Sequence, residues 1–404
     1  MLGLDVAYDY TPRMMEKISH AGAHASFGRA SDDLNVLAEC AVSEERVRRL
    51  TERVGQERVI ERDAAAETFA TLPFPARRES PVEQEQTPEA VSVQMDGGRL
   101  QCRDRHASGK REAGFWKEFK AGDLRVIVSQ PSAEDPCPQL PASFADPERM
   151  SQLAREIKGF SSAAPDTTTT PKTPAETPAE PESQRPRSEA LSVVATTRDV
   201  HQFGLLLAAA AHARGFNAAQ RKAFIGDGSE TNWTVWRDHF SHYTPIVDFV
   251  HAVAYVYAAA MAGRDASMGW ATHLEWAQWL WSGQIERLIA AVEARQREVG
   301  LPEAHETENS PRSQIAKTLG YLRNQQSRMH YDQYRRQGLP ITSSPVESTI
   351  KRVARRMKGT EKFWSVGAEA MLTLVADHLS ETTPLKHYWA TRRPPARRSY
   401  QTAT

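Results

Sequence analysis

The sequence predicts an α/β protein: a mixed-sheet core, interrupted by an all-helical insertion and preceded by a helical N-terminal region. Three observations predict it. Apolar residues between 13 and 56 recur at helical spacing. The runs AVSVQMDGGRLQCR, RKAFIGDG and TPIVDFVHA are rich in strand formers and break at turn residues. From Ala252 to about Gln337 the helical period returns, with Trp270, Trp276, Trp279 and Trp281 among its apolar positions.

Taken in order, residues 1–60 read as two short helices with Ser31 and Ser43 as candidate N-caps. The second, SEERVRRLTERVG, carries Arg46, Arg49 and Arg53 at three- and four-residue steps, so the three share a face. Such a pair is either a helix-turn-helix that reaches phosphates and base edges or a small bundle with a solvated charged face. Residues 61–90 are polar and acidic with prolines, and read as a linker. Residues 91–135 supply the first strands, with FWKEFKAGDLRVIVSQ divided by a turn at Ala121-Gly122-Asp123. Residues 136–190 form an insertion whose Thr/Pro/Glu-rich part, 162–188, lacks the apolar content to offset its ordering entropy.

Residues 191–251 continue the core with an apolar helix over 199–219, a strand ending at Asp227, a helix from Trp233 to Phe240 and a further strand running into a helix. The helical insertion occupies 252–337. Residues 338–380 return to the core through a helix starting near Pro345 and a last amphipathic helix, GAEAMLTLVADHL. Residues 381–404 form a basic tail.

The chain has 404 residues, with Lys+Arg and Asp+Glu both at 51. A net charge of zero excludes a uniformly basic nucleic-acid coat, so any DNA contact must come from local clusters. Cys40, Cys102 and Cys137 form no CxxC pair, which argues against a zinc knuckle or a disulfide framework and fits a reducing cytoplasm. No signal-peptide pattern or membrane-length apolar run is present.

Three acids stand in contexts suited to metal chemistry. Asp96 follows an apolar run and precedes two glycines, although Asp-Gly is also a hairpin turn signal. Asp227 lies in Ile225-Gly226-Asp227-Gly228, again at a strand end. Neighbouring strands lie about 5 Å apart, so two such carboxylates can share a divalent ion. Glu347, in Ser344-Pro345-Val346-Glu347, matches a capping box with proline at the first helical position. Below it Lys351, Arg355 and Lys358 follow at helical steps, and Arg352, Arg356 and Lys362 widen the basic cluster. An acid leading a basic stripe suits a metal site beside a DNA backbone. Three converging carboxylates can hold two Mg²⁺ or Mn²⁺ ions for an in-line displacement at phosphorus. Asp248 and His251 form a D-x-x-H step that reads first as a structural hydrogen bond and second as a neighbour of the site.

The segments VSVQMDGGRL, AFIGDGSETNW with IVDFVHA, and YLRNQQSRMHYDQYRRQGLPITSSPVESTIKRVARRMKGTEKFW resemble bacterial insertion-sequence transposases of the Kra group, which are Mutator-like DDE transposases. The resemblance spans roughly residues 1–380 apart from the low-complexity insertion. It implies an RNase H-like core with a helical domain inserted before the helix of the third acid. It places the three acids on Asp96, Asp227 and Glu347, with Asp248 and His251 after the second. It implies strand cleavage and strand transfer at element ends with two Mg²⁺ ions. The implied partners are double-stranded DNA at those ends, target DNA and further copies of the chain, in a bacterial cytoplasm near the nucleoid. Family members carry a cysteine-rich, zinc-ribbon-like segment ahead of the point where this sequence opens at MLGLD, so the resemblance implies either an N-terminally shortened copy or a misassigned start. The rival expectations are a non-catalytic DNA-binding remnant of a transposase and an RNase H-like nuclease in a host role.

Overall fold

A computed structural model describes residues 10–83, 87–103, 113–158, 186–359 and 362–392. At its centre is a five-stranded mixed sheet: β1 (Ala90–Cys102), β2 (Phe115–Val128), β3 (Arg187–Thr196), β4 (Arg221–Gly226) and β5 (Thr244–Val247), in the order β3-β2-β1-β4-β5. β2 runs antiparallel to its neighbours β1 and β3, whereas β1, β4 and β5 run parallel. The protein is therefore α/β with a mixed sheet, as its sequence predicts.

Side chains alternate across the sheet. Val91, Val93 and Met95 of β1 point into the larger core beneath α6 (Val200–Ala213). Leu100 and Cys102, with Phe119 and Ala121 of β2, point to the opposite face. There α13 (Ser344–Met357) and α14 (Ala368–Leu379) cover them with Val353, Met357, Met371, Leu372 and Val375. Burial of both faces explains why β4 and β5 read as short apolar runs and not as alternating strands.

α7 (Glu230–His239) links β4 to β5, and β5 leads directly into α8 (Phe249–Met261). α9 (Ala266–Trp281), α10 (Ile285–Val299), α11 (Pro311–Gln325) and α12 (Tyr331–Arg336) complete a stretch with only helices as regular structure, as expected for 252–337. It shares one continuous apolar cluster with the sheet. Trp276 is buried in that cluster, and Trp279 packs half-buried against it with Arg287 over its ring at 4.2 Å.

Several expectations are corrected. The N-terminal region has three helices: α1 (Pro12–His24), α2 (Phe27–Ala38) and α3 (Glu44–Thr71). They pack through Met15, Ile18, Ala30, Leu34, Val47 and Val54, a bundle core. Ser31 lies inside α2, capped instead by Ser26, and its hydroxyl donates to the Val42 carbonyl. The 28-residue α3 and the short α4 (Phe74–Arg78) run through much of the supposed 61–90 linker, because Ala66 and Phe69 of α3 have apolar surface to cover in the main core.

No turn divides 121–123. β2 continues through them, since Ala121, Gly122 and Asp123 are paired on both sides, to β1 and to β3. The 136–190 insertion contains α5 (Pro147–Lys158), packed on α8, and the start of β3; most of 162–188 lies outside the described residues. α14 is buried nearly all round, not amphipathic. The supposed tail begins with α15 (Pro384–Arg392), whose Tyr388 and Trp389 are buried against the N-terminal bundle.

Candidate metal centre

The register of the parallel strands builds the site. Gln94 pairs with Ile225, and Ile225 pairs with Ile246. Two residues further on along each strand direction stand Asp96, Asp227 and Asp248, one aspartate per strand at the same level. β1 does not end there. It continues through Asp96, which pairs with Ala121 of β2, to Cys102. Both sequence readings of Asp96, strand end and hairpin turn, are thus corrected: Asp96 sits inside a strand where its parallel neighbour stops, with β4 ending at Gly226 and β5 at Val247. The carboxylates stand at the carboxyl ends of the parallel strands β4 and β5, where their backbone pairing gives out, the position at which α/β sheets commonly bind ligands.

Each aspartate is held by backbone or amide donors. The Gly97 amide donates to Asp96 Oδ1 at 2.6 Å. Asp227 Oδ1 accepts from the Ser229 amide and from Asn232 Nδ2, both at 2.8 Å. Gly226 makes room for that asparagine, since a Cβ there would lie 2.6 Å from Asn232 Nδ2. Gly228, at φ +96°, takes the left-handed turn that returns the chain into α7. The helical stretch braces this loop: Tyr321 Oη donates to the Asp227 carbonyl and Gln325 Nε2 to that of Gly228, each at 3.0 Å. Tyr331 Oη does the same for Val247.

Asp248 is fully buried and N-caps α8, accepting from the amides of Val250 and His251. Its Oδ1 also accepts from the Ser343 amide at 2.9 Å, and this bond draws in the start of α13. Glu347, in the first turn of that helix, is delivered beside Asp248. The capping box is not formed: Ser343 is the N-cap and makes no side-chain cap bond. The Glu347 carboxylate is therefore left for the site. Asp248, His251 and Glu347 each place a ligand atom within 4.8 Å of the others, a group that could hold a metal ion. The tightest group is thus Asp248–His251–Glu347; Asp96 and Asp227 border it electrostatically.

The electrostatics describe a surplus of negative charge. Burial raises the Asp96 carboxyl above its usual range. Asp227 and Asp248 push it further, against the Gly97 amide and His251. Burial likewise raises Glu347, with Asp248 and Asp96 adding to the rise and His251 and Lys351 opposing it. Burial opposes a charged His251, but the 2.5 Å bond from its Nδ1 to Asp248 and the fields of Asp248, Asp227 and Glu347 raise it to about 9. Four carboxylates thus face one imidazolium. The N-termini of α8 and α13 add partial positive charge, though less than a full unit each.

The basic residues divide. Lys351, Arg352 and Arg355 are exposed on α13. Arg356 is corrected: it is buried, donates twice to the Gly22 carbonyl at 2.9 and 2.8 Å, and lies over the rings of Phe27 and Trp364. It ties α13 to α1. Lys358 is the C-cap, past the helical stripe, and Lys362 is half-buried. Arg49 and Arg53 are exposed on α3, while Arg46 is half-buried with Tyr10 at 5.0 Å. Sequence reasoning missed Asn232, Tyr321, Gln325 and Ser343. The asparagine five residues after Asp227 is the signal that could have been found.

No protein-family model matches the chain, and no curated protein is significantly similar to it. Among the described residues, no helix is long and apolar enough to cross a membrane.

Proposed function

We propose that the chain is a metal-dependent DDE transposase with an RNase H-like core, which cleaves and transfers DNA strands at the ends of a mobile element. The observation that carries this reading is the register that sets Asp96, Asp227 and Asp248 side by side and joins them to Glu347 through the Ser343 amide. The strand order, with three antiparallel strands followed by two parallel ones, suits that core. The charge surplus suits divalent cations, and a donor set dominated by carboxylate oxygens suits Mg²⁺ or Mn²⁺. Two such ions, held by these acids, would supply activation of an attacking water or 3′-hydroxyl and charge stabilisation of the leaving oxygen.

Asp96, Asp227 and Glu347 are the proposed metal-holding acids. Asp248 belongs with them as the group that positions Glu347 and orients His251. His251 Nδ1 is committed to Asp248, which fixes the ring beside the site. The exposed Lys351, Arg352 and Arg355 continue from Glu347 along α13 and would follow a phosphate backbone. The bundle of α1 to α3, with Arg49 and Arg53 outward, is the proposed second DNA contact, and assembly on two element ends calls for more than one copy of the chain.

The test is cleavage of a labelled duplex carrying the element ends, in Mg²⁺ or Mn²⁺, beside a binding assay on the same DNA. Asp96→Asn, Asp227→Asn and Glu347→Gln should each lower cleavage by roughly a thousandfold or more while leaving binding within a few fold, since the amide keeps the shape and loses the charge. Cleavage undiminished in all three variants would end this assignment.

A further inference from the structure

A second cluster of ligating side chains lies away from the acids, where the N-terminal bundle meets the core. His20 and His24 stand one turn apart on α1, and His378 lies in the last turn of α14. Their ring centroids are 4.3, 5.0 and 4.6 Å apart. One ring nitrogen from each lies within 4.8 Å of the other two. Three imidazoles packed this closely lack an obvious reason in a solvent-facing seam, where hydrophobic or oppositely charged neighbours would pack with less cost.

We propose that His20, His24 and His378 form a tris-imidazole site for a transition-metal cation of the Zn²⁺ class, which clamps α1 onto α14. Three neutral imidazoles and one open position suit a tetrahedral borderline-soft ion and not Mg²⁺. The tautomer of His24 agrees. His24 Nδ1 lies 2.8 Å from the His20 carbonyl, which can only accept, so Nδ1 carries the proton and Nε2 keeps its lone pair. His378 Nε2 is buried and has no hydrogen-bond partner among the described residues, a cost that a metal bond would remove. Burial, with His24 and His20 beside it, also lowers His378 to about 3, which keeps the ring in its ligand form.

The backbone beneath is fixed independently. Gly22, between the two α1 histidines, gives its carbonyl to Arg356 of α13, and Asp377, next to His378, accepts from Arg58 of α3 at 2.7 Å. Tetrahedral ligation at about 2.05 Å sets the nitrogens roughly 3.3 Å apart. The ligand atoms already lie within 4.8 Å of one another, so the rings need to draw together by little more than an ångström, and His20 and His24 are exposed. The field of Glu16, one turn before His20 on α1, also reaches this cluster.

The inference is independent of the transposase reading and has its own readout. The untagged full-length chain is stripped with chelator and titrated with Co²⁺ alone, whose visible absorption is strong in a tetrahedral field and weak in an octahedral one. Wild type and Glu347→Gln should each show one equivalent of tetrahedral Co²⁺, apart from any octahedral Co²⁺ that the acids take up, and Zn²⁺ should displace the tetrahedral ion and raise the melting temperature. His20→Asn with His24→Gln should abolish the signature and the Zn²⁺-dependent rise, with affinity lower by at least ~10-fold. Both positions are exposed, so the fold should persist, and far-ultraviolet dichroism confirms it. Absence of the tetrahedral signature in wild type, a signature that survives the double variant, or one lost in Glu347→Gln would each overturn the site.

Discussion

Two acids enter the same edge of the sheet from neighbouring helices and meet opposite surroundings. β3 runs in the same direction as β1, so its end at Thr196 lies at about the level of Asp96. There Glu369 of α14 accepts from the hydroxyls of Thr196 and Thr197 at 2.6 and 2.9 Å, from the Thr197 amide at 2.7 Å and from Arg62 at 2.9 Å. Burial opposes its charge, yet these donors hold it below the usual glutamate range. Glu347 of α13 is similarly buried among acids and lies above that range. A carboxylate saturated with donors is part of the scaffold. A group of carboxylates short of cations is poised for ions that the protein itself does not supply.

The largest effect that separates the two is in exchange substitutions. Glu347→Gln should lose metal-dependent cleavage and cost no stability in chelator, because it removes charge from a crowded cluster. Glu369→Gln should leave the chemistry in place and cost about 3 kcal/mol in chemical denaturation, since it removes the charged acceptor that Thr196, Thr197 and Arg62 share. Equal destabilisation by the two variants would erase the contrast.

The next effect is in pH. Folded His251 keeps its proton to about pH 9, while the unfolded chain releases it near the ordinary value of 6.5. Its stabilisation is therefore complete below 6.5 and lost as pH rises through 9, up to roughly 3 kcal/mol. Glu369 has the opposite sign: its contribution is present above the ordinary 4.5 and lost as pH falls through its lowered value. In denaturation curves taken without metal, His251→Gln should flatten the alkaline limb only and Glu369→Gln the acidic limb only. An alkaline limb unaltered by His251→Gln would contradict the charge surplus at the site.

A smaller effect is expected one bond further out. Asn232→Ala frees Asp227 Oδ1 from its side-chain donor and should slow cleavage about 10- to 100-fold, with KM for DNA unchanged. Cleavage at the wild-type rate would show that the Ser229 amide alone positions Asp227. The smallest effect divides the basic residues. Arg352→Ala should lower the salt dependence of DNA binding by about one in slope and leave stability alone. Arg356→Ala should cost about 2 kcal/mol of stability, because its two bonds to Gly22 are lost inside the protein. A larger salt-slope change for Arg356 than for Arg352 would put the DNA path elsewhere.

The sequence by itself determined the elements with strong local signals. The apolar runs of β1, β4 and β5, the helical period of 252–337 and the proline-led start of α13 are set by side-chain pattern and backbone preference within a few residues. The same local signals located Asp96, Asp227 and Glu347 as candidates. What only the tertiary structure decided depends on pairings between distant segments. The continuity of β2 through Ala121-Gly122-Asp123 comes from strands on both sides that offer partners to every amide, which no local turn propensity can outweigh. Asp248 moved from a structural aside to the centre of the site because its second oxygen meets the Ser343 amide, 95 residues away. Arg356 left the exposed stripe because α1 packs beside it, and His378 met His20 and His24 only through the docking of α14 on α1. A charged or ligating side chain carries the same letter whether it faces water, a carbonyl or a metal, and burial and partner geometry, which belong to the fold, assign its role.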